Sequence, residues 1–146
     1  MRKVLLALAF MGFAGGAHAQ LPFLSKRPPA QPVLQGIDAL RADFAAQSGG
    51  TTVYFGAESV GLAVPARTIL AAQAAWLRRH PEVVVRVEGY GDSGDTRDHA
   101  LAVGARRAEE ARSYLVLLGV PAAQVSTTSW GKERPGLGRA VTVLVR

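Results

Sequence analysis

Val83, Val85 and Val87 alternate with Val84, Arg86 and Glu88, the two-residue period of a strand with one wholly apolar face. Upstream, Ile69, Ala72, Trp76 and Leu77 recur at helical spacing behind Pro65, a residue suited to a first helical turn. His80-Pro81 ends that helix, because proline disfavours helical geometry in the residue before it. Downstream, Leu101, Ala105, Ala108, Leu115 and Leu118 predict one apolar side of a second long helix, capped by Asp95 or Thr96 and closed by Gly119. Residues 51–55 are β-branched and aromatic and predict a strand. So do residues 125–130 and 139–145, separated by a turn holding Pro135, Gly136 and Gly138. Ile37, Leu40, Phe44 and Ala45 place a short amphipathic helix over residues 36–47, closed by Ser48-Gly49-Gly50. Beyond that helix the order is β-α-β-α-β-β. Two strand–helix–strand passages favour parallel or mixed pairing, so the predicted fold is α+β, with two main helices on one face of a mixed four-stranded sheet.

The first 35 residues follow neither period. Arg2 and Lys3 precede an apolar run over residues 4–13, and Ala17-His18-Ala19 offers a small-residue cleavage site. These are the marks of a secretory signal peptide over residues 1–19, and the run is short of the roughly 20 apolar residues of a spanning helix. Residues 20–35 carry Pro22, Pro28, Pro29 and Pro32 with Lys26 and Arg27 between them, and read as an extended tether. The expected organisation is therefore signal, tether and one domain over residues 36–146. No later segment reads as a transmembrane helix.

Composition narrows the chemistry. Of 146 residues, 49% are hydrophobic and 19% charged, which excludes a wholly disordered chain. The absence of cysteine excludes disulfides, thiolate metal sites and a lipid-modified cysteine. Seventeen Lys and Arg against eleven Asp and Glu give +6. Without Arg2 and Lys3, fifteen basic residues remain and the charge is +4. No basic cluster exceeds pairs such as Arg78-Arg79, so nucleic acid is not an expected partner, and anionic envelope polymers suit the charge better. No metal-ligand spacing and no cofactor signature is present.

One loop carries three competing motifs. Gly89-Tyr90-Gly91-Asp92-Ser93-Gly94 matches G-x-G-x-x-G, but a dinucleotide site needs an acidic residue at the end of the next strand. Here Glu109 and Glu110 fall inside the helix, while Asp92, Asp95 and Asp98 would repel a diphosphate. Gly91-Asp92-Ser93-Gly94 resembles the nucleophile segment of trypsin-like serine proteases, which need a histidine base and a buried acid upstream; the histidines after residue 19 are His80, beside Pro81 at a helix end, and His99, on the helix just after the loop, and the helices do not fit an all-β barrel.

The third reading uses the whole region. Gly89-Tyr90-Gly91-Asp92, Val103-Gly104-Ala105-Arg106-Arg107-Ala108 and Ser129-Trp130-Gly131-Lys132-Glu133-Arg134-Pro135 stand in order and in register. Together they resemble the OmpA-like C-terminal peptidoglycan-binding family, which includes the peptidoglycan-associated lipoproteins. Val53-Tyr54-Phe55, Leu62 and Gly138-Arg139-Ala140-Val141 resemble that family's first strand, first helix approach and closing strand. The departures are Tyr90 for a histidine, Gly91 for a threonine, Ala100 for an asparagine, Ala140 for an arginine, and a shortened segment after Pro135.

The resemblance implies non-covalent binding of peptidoglycan in the periplasm, possible envelope protein partners, and no enzymatic activity. It implies a ligand, the diaminopimelate of the stem peptide, that carries an ammonium and a carboxylate. Asp92 would accept from the ammonium and Arg107 would fork onto the carboxylate. Gly91 and Ser93 would lie beside them in the loop, with Arg139 as an auxiliary cation. Two bland readings compete: Asp92 as a turn former, and Arg107 in an ordinary ion pair with Asp92 or Glu110. A domain that kept the fold and lost the wall, serving as a periplasmic interaction module, is the alternative function.

Overall fold

The fold is that of a computed structural model, which describes residues 36–134 and 138–146. The expected signal and tether, and Pro135 and Gly136 of the last turn, lie outside these residues. In chain order the elements are α1 (Ile37–Gln47), β1 (Thr52–Tyr54), α2 (Val64–Arg79), β2 (Val85–Tyr90), α3 (Arg97–Leu117), β3 (Val125–Gly131) and β4 (Arg139–Leu144), with one 3-10 turn at Ala122–Gln124. The strands form one sheet in the order β1-β4-β2-β3. β2 and β3 are parallel, and β4 runs antiparallel to both of its neighbours. This is the mixed four-stranded α+β sheet that the two strand–helix–strand passages predict.

Burial follows the strand period. Val85 and Val87 on β2 and Ala140 and Leu144 on β4 enter the core with Leu70, Trp76 and Leu77 of α2 and Ala108, Ala111 and Leu115 of α3. Fully burying a side chain such as Leu70, Leu77 or Leu115 contributes about 1.5–3 kcal/mol. Two buried glutamines fasten the elements around them. Gln73 accepts from Thr142 Oγ1 at 2.7 Å and donates to the Gly50 carbonyl at 3.1 Å. Gln124 donates to the carbonyls of Leu77 and His80, closing the end of α2.

The third helix differs from its predicted face. Ala100, Val103, Gly104, Arg107, Ala108, Ala111 and Leu115 are buried, whereas Leu101 is 46% exposed and Ala105 is exposed. The reason is distance. A Cβ on Gly89 would lie 1.8 Å from the Gly104 carbonyl oxygen, and one on Gly104 would lie 2.4 Å from Ser129 Oγ. At this crossing the helix therefore turns the small residues Ala100, Gly104 and Ala108 toward the sheet. The same approach buries Gly89 and Tyr90, so β2 runs two residues beyond its valine pattern.

α1 is fastened at the start of β2, opposite the loop that follows that strand. Phe44 is fully buried, edge-on to Trp76 at 5.1 Å. Trp76 Nε1 donates to Asp43 at 2.7 Å, Gln47 donates to the same carboxylate, and Arg41 donates to the carbonyl of Leu144, which pairs with Val85. Ala45, expected on the apolar face, is exposed.

Candidate functional site

Tyr90 ends β2, and the loop that follows is stitched on both sides through backbone groups. Gly91 N–H donates to the carbonyl of Gly131, and the Gly91 carbonyl accepts from Gly138 N–H, both at 2.9 Å. The Gly138 carbonyl in turn accepts from Phe55 N–H, so the ends of β1, β2, β3 and β4 are tied at one point. A Cβ on Gly91 would meet the carbonyl oxygen of Ala100 at 2.4 Å. Glycine in the loop and alanine on the helix thus allow backbone to lie against backbone where a larger pair would hold them apart. Thr96 caps α3, accepting from His99 N–H at 3.3 Å.

This tie places Asp92 against α3, and Arg107 meets it in a fork. Nη1 donates to Oδ1 at 2.9 Å and Nη2 to Oδ2 at 3.1 Å. The two partners are unequal: the Arg107 side chain is 0% exposed and that of Asp92 is 22% exposed. The remaining guanidinium N–H groups go to backbone carbonyls, Nε to Ser59 at 2.8 Å, Nη1 to Tyr90 at 2.9 Å and Nη2 to Gly56 at 3.1 Å. A guanidinium has five such donors, and all five are engaged. The Phe55 ring lies 5.3 Å from the guanidinium carbon. Hydrogen bonds from Arg107, then the Glu58 N–H, hold the Asp92 carboxyl below the ordinary carboxylate range against the opposing effect of burial.

The turn between β1 and α2 completes the site. Glu58 N–H donates to Asp92 Oδ2 at 2.8 Å, and Glu58 is the one non-glycine residue with positive φ (55°) among those described. Gly56 and Ser59 supply two of the carbonyls that hold Arg107. No side-chain pattern marks this turn in the sequence, because its contributions are backbone groups. Ser93 is exposed beside Asp92. Arg139 lies elsewhere. It alternates with buried Ala140 and so faces away from the helices, its guanidinium 5.2 Å from the Tyr90 ring. Burial, then the nearby Glu88 carboxylate, raises the Tyr90 hydroxyl above its usual value. Trp76 is core and Trp130 is rim, with Arg134 stacked 3.4 Å from its ring centre. Among the described residues no cluster of three or more His, Asp or Glu could hold a metal ion. No helix among them is long and apolar enough to cross a membrane.

The sequence model of the OmpA family matches residues 54–141, from the end of β1 into β4, with Asp92 and Arg107 inside the match. The chain belongs to the OmpA family. Within that family it is 42% identical over 86 residues to the peptidoglycan-associated lipoprotein of Agrobacterium fabrum, covering 59% of this chain and 49% of that protein. To the peptidoglycan-associated lipoprotein of Pseudomonas aeruginosa it is 40% identical over 99 residues, covering 68% and 58%. The chain thus spans about half the length of the curated relatives it matches. The crystal structure of the peptidoglycan-associated lipoprotein from Burkholderia pseudomallei superposes with a TM-score of 0.63 at 33% identity, covering 66% of this chain and 91% of that one. The C-terminal domain of Helicobacter pylori MotB shares the fold, with a TM-score of 0.60 at 19% identity, over 65% of this chain and 84% of that one. α1 lies outside the OmpA match.

Proposed function

We propose that this chain binds peptidoglycan non-covalently in the bacterial periplasm, holding the diaminopimelate of a stem peptide at the loop after β2. The observation that carries this reading is the fork between Asp92 and Arg107, in which the cation is sealed and the carboxylate alone reaches solvent. Names of relatives at about 40% identity point the same way. Asp92 accepts from the ligand ammonium. Arg107 holds Asp92 in place rather than presenting free donors, which refines the role the resemblance implies for it. Gly91 shapes the loop and Ser93 flanks the carboxylate, while Arg139, which faces away from the helices, is not given a part in it. A charge-assisted hydrogen bond is worth roughly 1.5–3 kcal/mol net, so one stem peptide is held weakly and the polymeric wall retains the protein by rebinding. We read the site as a binding module rather than an enzyme: the reading requires an acceptor and a shaped loop, with no nucleophile and base.

The saturated guanidinium and the small side chain of Ala100 favour a second reading. In it the pair is structural, and the domain serves as an envelope interaction module without wall binding. Co-sedimentation with isolated sacculi separates the two. Under the first, the protein pellets with sacculi. Asp92→Asn then leaves it in the supernatant, as does Ser93→Trp, which changes an exposed position and leaves the Arg107 contacts intact. A folded protein that stays in the supernatant without any substitution supports the second reading, and pelleting unchanged by both variants, each shown folded by circular dichroism, moves wall binding away from this loop.

A further inference from the structure

We infer that β3 pairs with the β3 strand of a second copy of this chain, antiparallel and centred on Thr128, so that two four-stranded sheets join into one. This pairing is independent of the wall-binding reading above.

Val145 N–H donates to the Val84 carbonyl, which fixes where the backbone groups of β2 point. Val84, Arg86 and Glu88 turn theirs to β4, and Val85, Val87 and Gly89 turn theirs to β3. On β3 the residues that answer are Ser126 and Thr128, and Ser126 Oγ also donates to the Val85 carbonyl at 3.2 Å. Val125, Thr127 and Ser129 therefore point their N–H and C=O groups off the edge of the sheet. Arg112 Nε caps the Val125 carbonyl at 2.9 Å. Among the described residues nothing bonds the backbone groups of Thr127 and Ser129.

The opposite edge is closed. β1 is only three residues long, and past it Arg41 of α1 donates to the Leu144 carbonyl at 3.1 Å. β3 runs for seven residues with neither a charge nor a proline, two devices that keep an edge from pairing. Its register against β2 stays regular as far as Ser129.

The helix beside this edge favours a second copy over any other extended segment, because its charges complement themselves. Ser129 Oγ donates to the Leu101 carbonyl at 2.7 Å, and Arg112 reaches Val125, so the side of α3 along β3 carries Asp98, Leu101, Ala105 and Arg112. Leu101 and Ala105 are exposed. A two-fold axis at Thr128 sets Thr127 against Ser129 of the second copy, each exchanging both backbone bonds. Ala105, midway between Asp98 and Arg112, then lies near the axis, and Asp98 of one copy faces Arg112 of the other. Both have capacity to spare. Asp98 has no ion pair among the described residues, and Arg112 Nη2 has no acceptor among them. α3 sits astride β2 and β3, with Gly104 against Gly89 and Leu101 against Ser129. Two such helices lie about two strand spacings apart, roughly 10 Å, a distance at which helices pack, with alanine at the closest point.

Sedimentation of the purified protein over a concentration series reads the association, and a monomer at every concentration up to about 1 mM overturns it. Thr127→Pro removes an N–H that faces away from β2, where an edge strand tolerates proline. Ala105→Lys sets like charges together at the axis. Each variant, shown folded by circular dichroism, is expected to weaken the dimer about tenfold or more. A dimer indifferent to either one overturns the pairing. Cross-linking reads the register, because the chain has no cysteine of its own. Opposed residues of a non-hydrogen-bonded antiparallel pair have Cα atoms about 4.5 Å apart, within disulfide range. Thr128→Cys is expected to form a covalent dimer in oxidised glutathione, and Ser126→Cys, which faces Trp130 of the second copy, is not. No cross-link from Thr128→Cys, or equal cross-linking of both variants, overturns the register and with it the inference.

Discussion

Asp92 and Asp43 sit at opposite ends of β2 and are both held below the ordinary carboxylate range, by different means. At Asp92 the main cause is a buried guanidinium whose every donor is committed. At Asp43 it is the neutral indole N–H of Trp76, followed by the amide of Gln47, on a helix that lies against the core from outside. The first arrangement couples the end of β2, its loop and the β1–α2 turn to α3 through one side chain. The second pins α1 and goes no further. A lowered pKa alone therefore does not separate a binding site from a fastening. The charge of the buried partner and the number of elements it joins do, since Arg107 and Trp76 are both fully buried.

Replacing the buried partner tests the contrast hardest. Arg107→Met leaves Asp92 unpaired and frees three backbone carbonyls, and breaking a buried pair in this way costs about 3–5 kcal/mol. Urea unfolding measures the loss, and sacculus binding is expected to fall with it as Asp92 loses its position. A pH series gives the next largest effect. A carboxyl with a lowered folded pKa contributes stability that is full above its unfolded value, near 3.9, and is lost as pH falls through the folded one. The unfolding midpoint should thus hold steady down to about pH 5 and decline in more acid solution. Sacculus binding should persist over the same window, because Asp92 stays ionised. A binding loss centred near pH 6 would move recognition to another group. The smallest effect is expected from Asp43→Ala, which loosens α1, lowers the unfolding midpoint less than Arg107→Met, and leaves sacculus binding unchanged. Equal losses of binding from Asp43→Ala and Arg107→Met would erase the distinction between the two ends.

Much of this architecture is legible in the chain, and the exceptions have physical causes. The valine alternation before Glu88, Pro65 at a helix start, and the stops at His80-Pro81 and Gly119 give the elements and their order. The buried face of α3 is not legible from large apolar residues, because the close approach at Gly89 and Gly104 selects small ones. Leu101, the best apolar candidate by type, is left 46% exposed. At the site, Asp92 and Arg107 stand out as opposite charges in a recognisable pattern. The turn that completes their geometry does not, since Gly56 and Ser59 contribute carbonyls and Glu58 contributes an N–H. Only opposite charges one helix apart hint at the saturation of Arg107, and nothing in the residue types shows that its fork would close on the protein itself.

The bare backbone contact between Gly89 and Gly104 has a consequence for engineering. Grafting residues 90–96 onto a donor scaffold of the same fold would transplant the carboxylate without its orientation, because Arg107 reaches it only across that narrow crossing. The minimal portable unit is the loop, the two glycines and the first three turns of α3 moved together, with the β1–α2 turn as its lock.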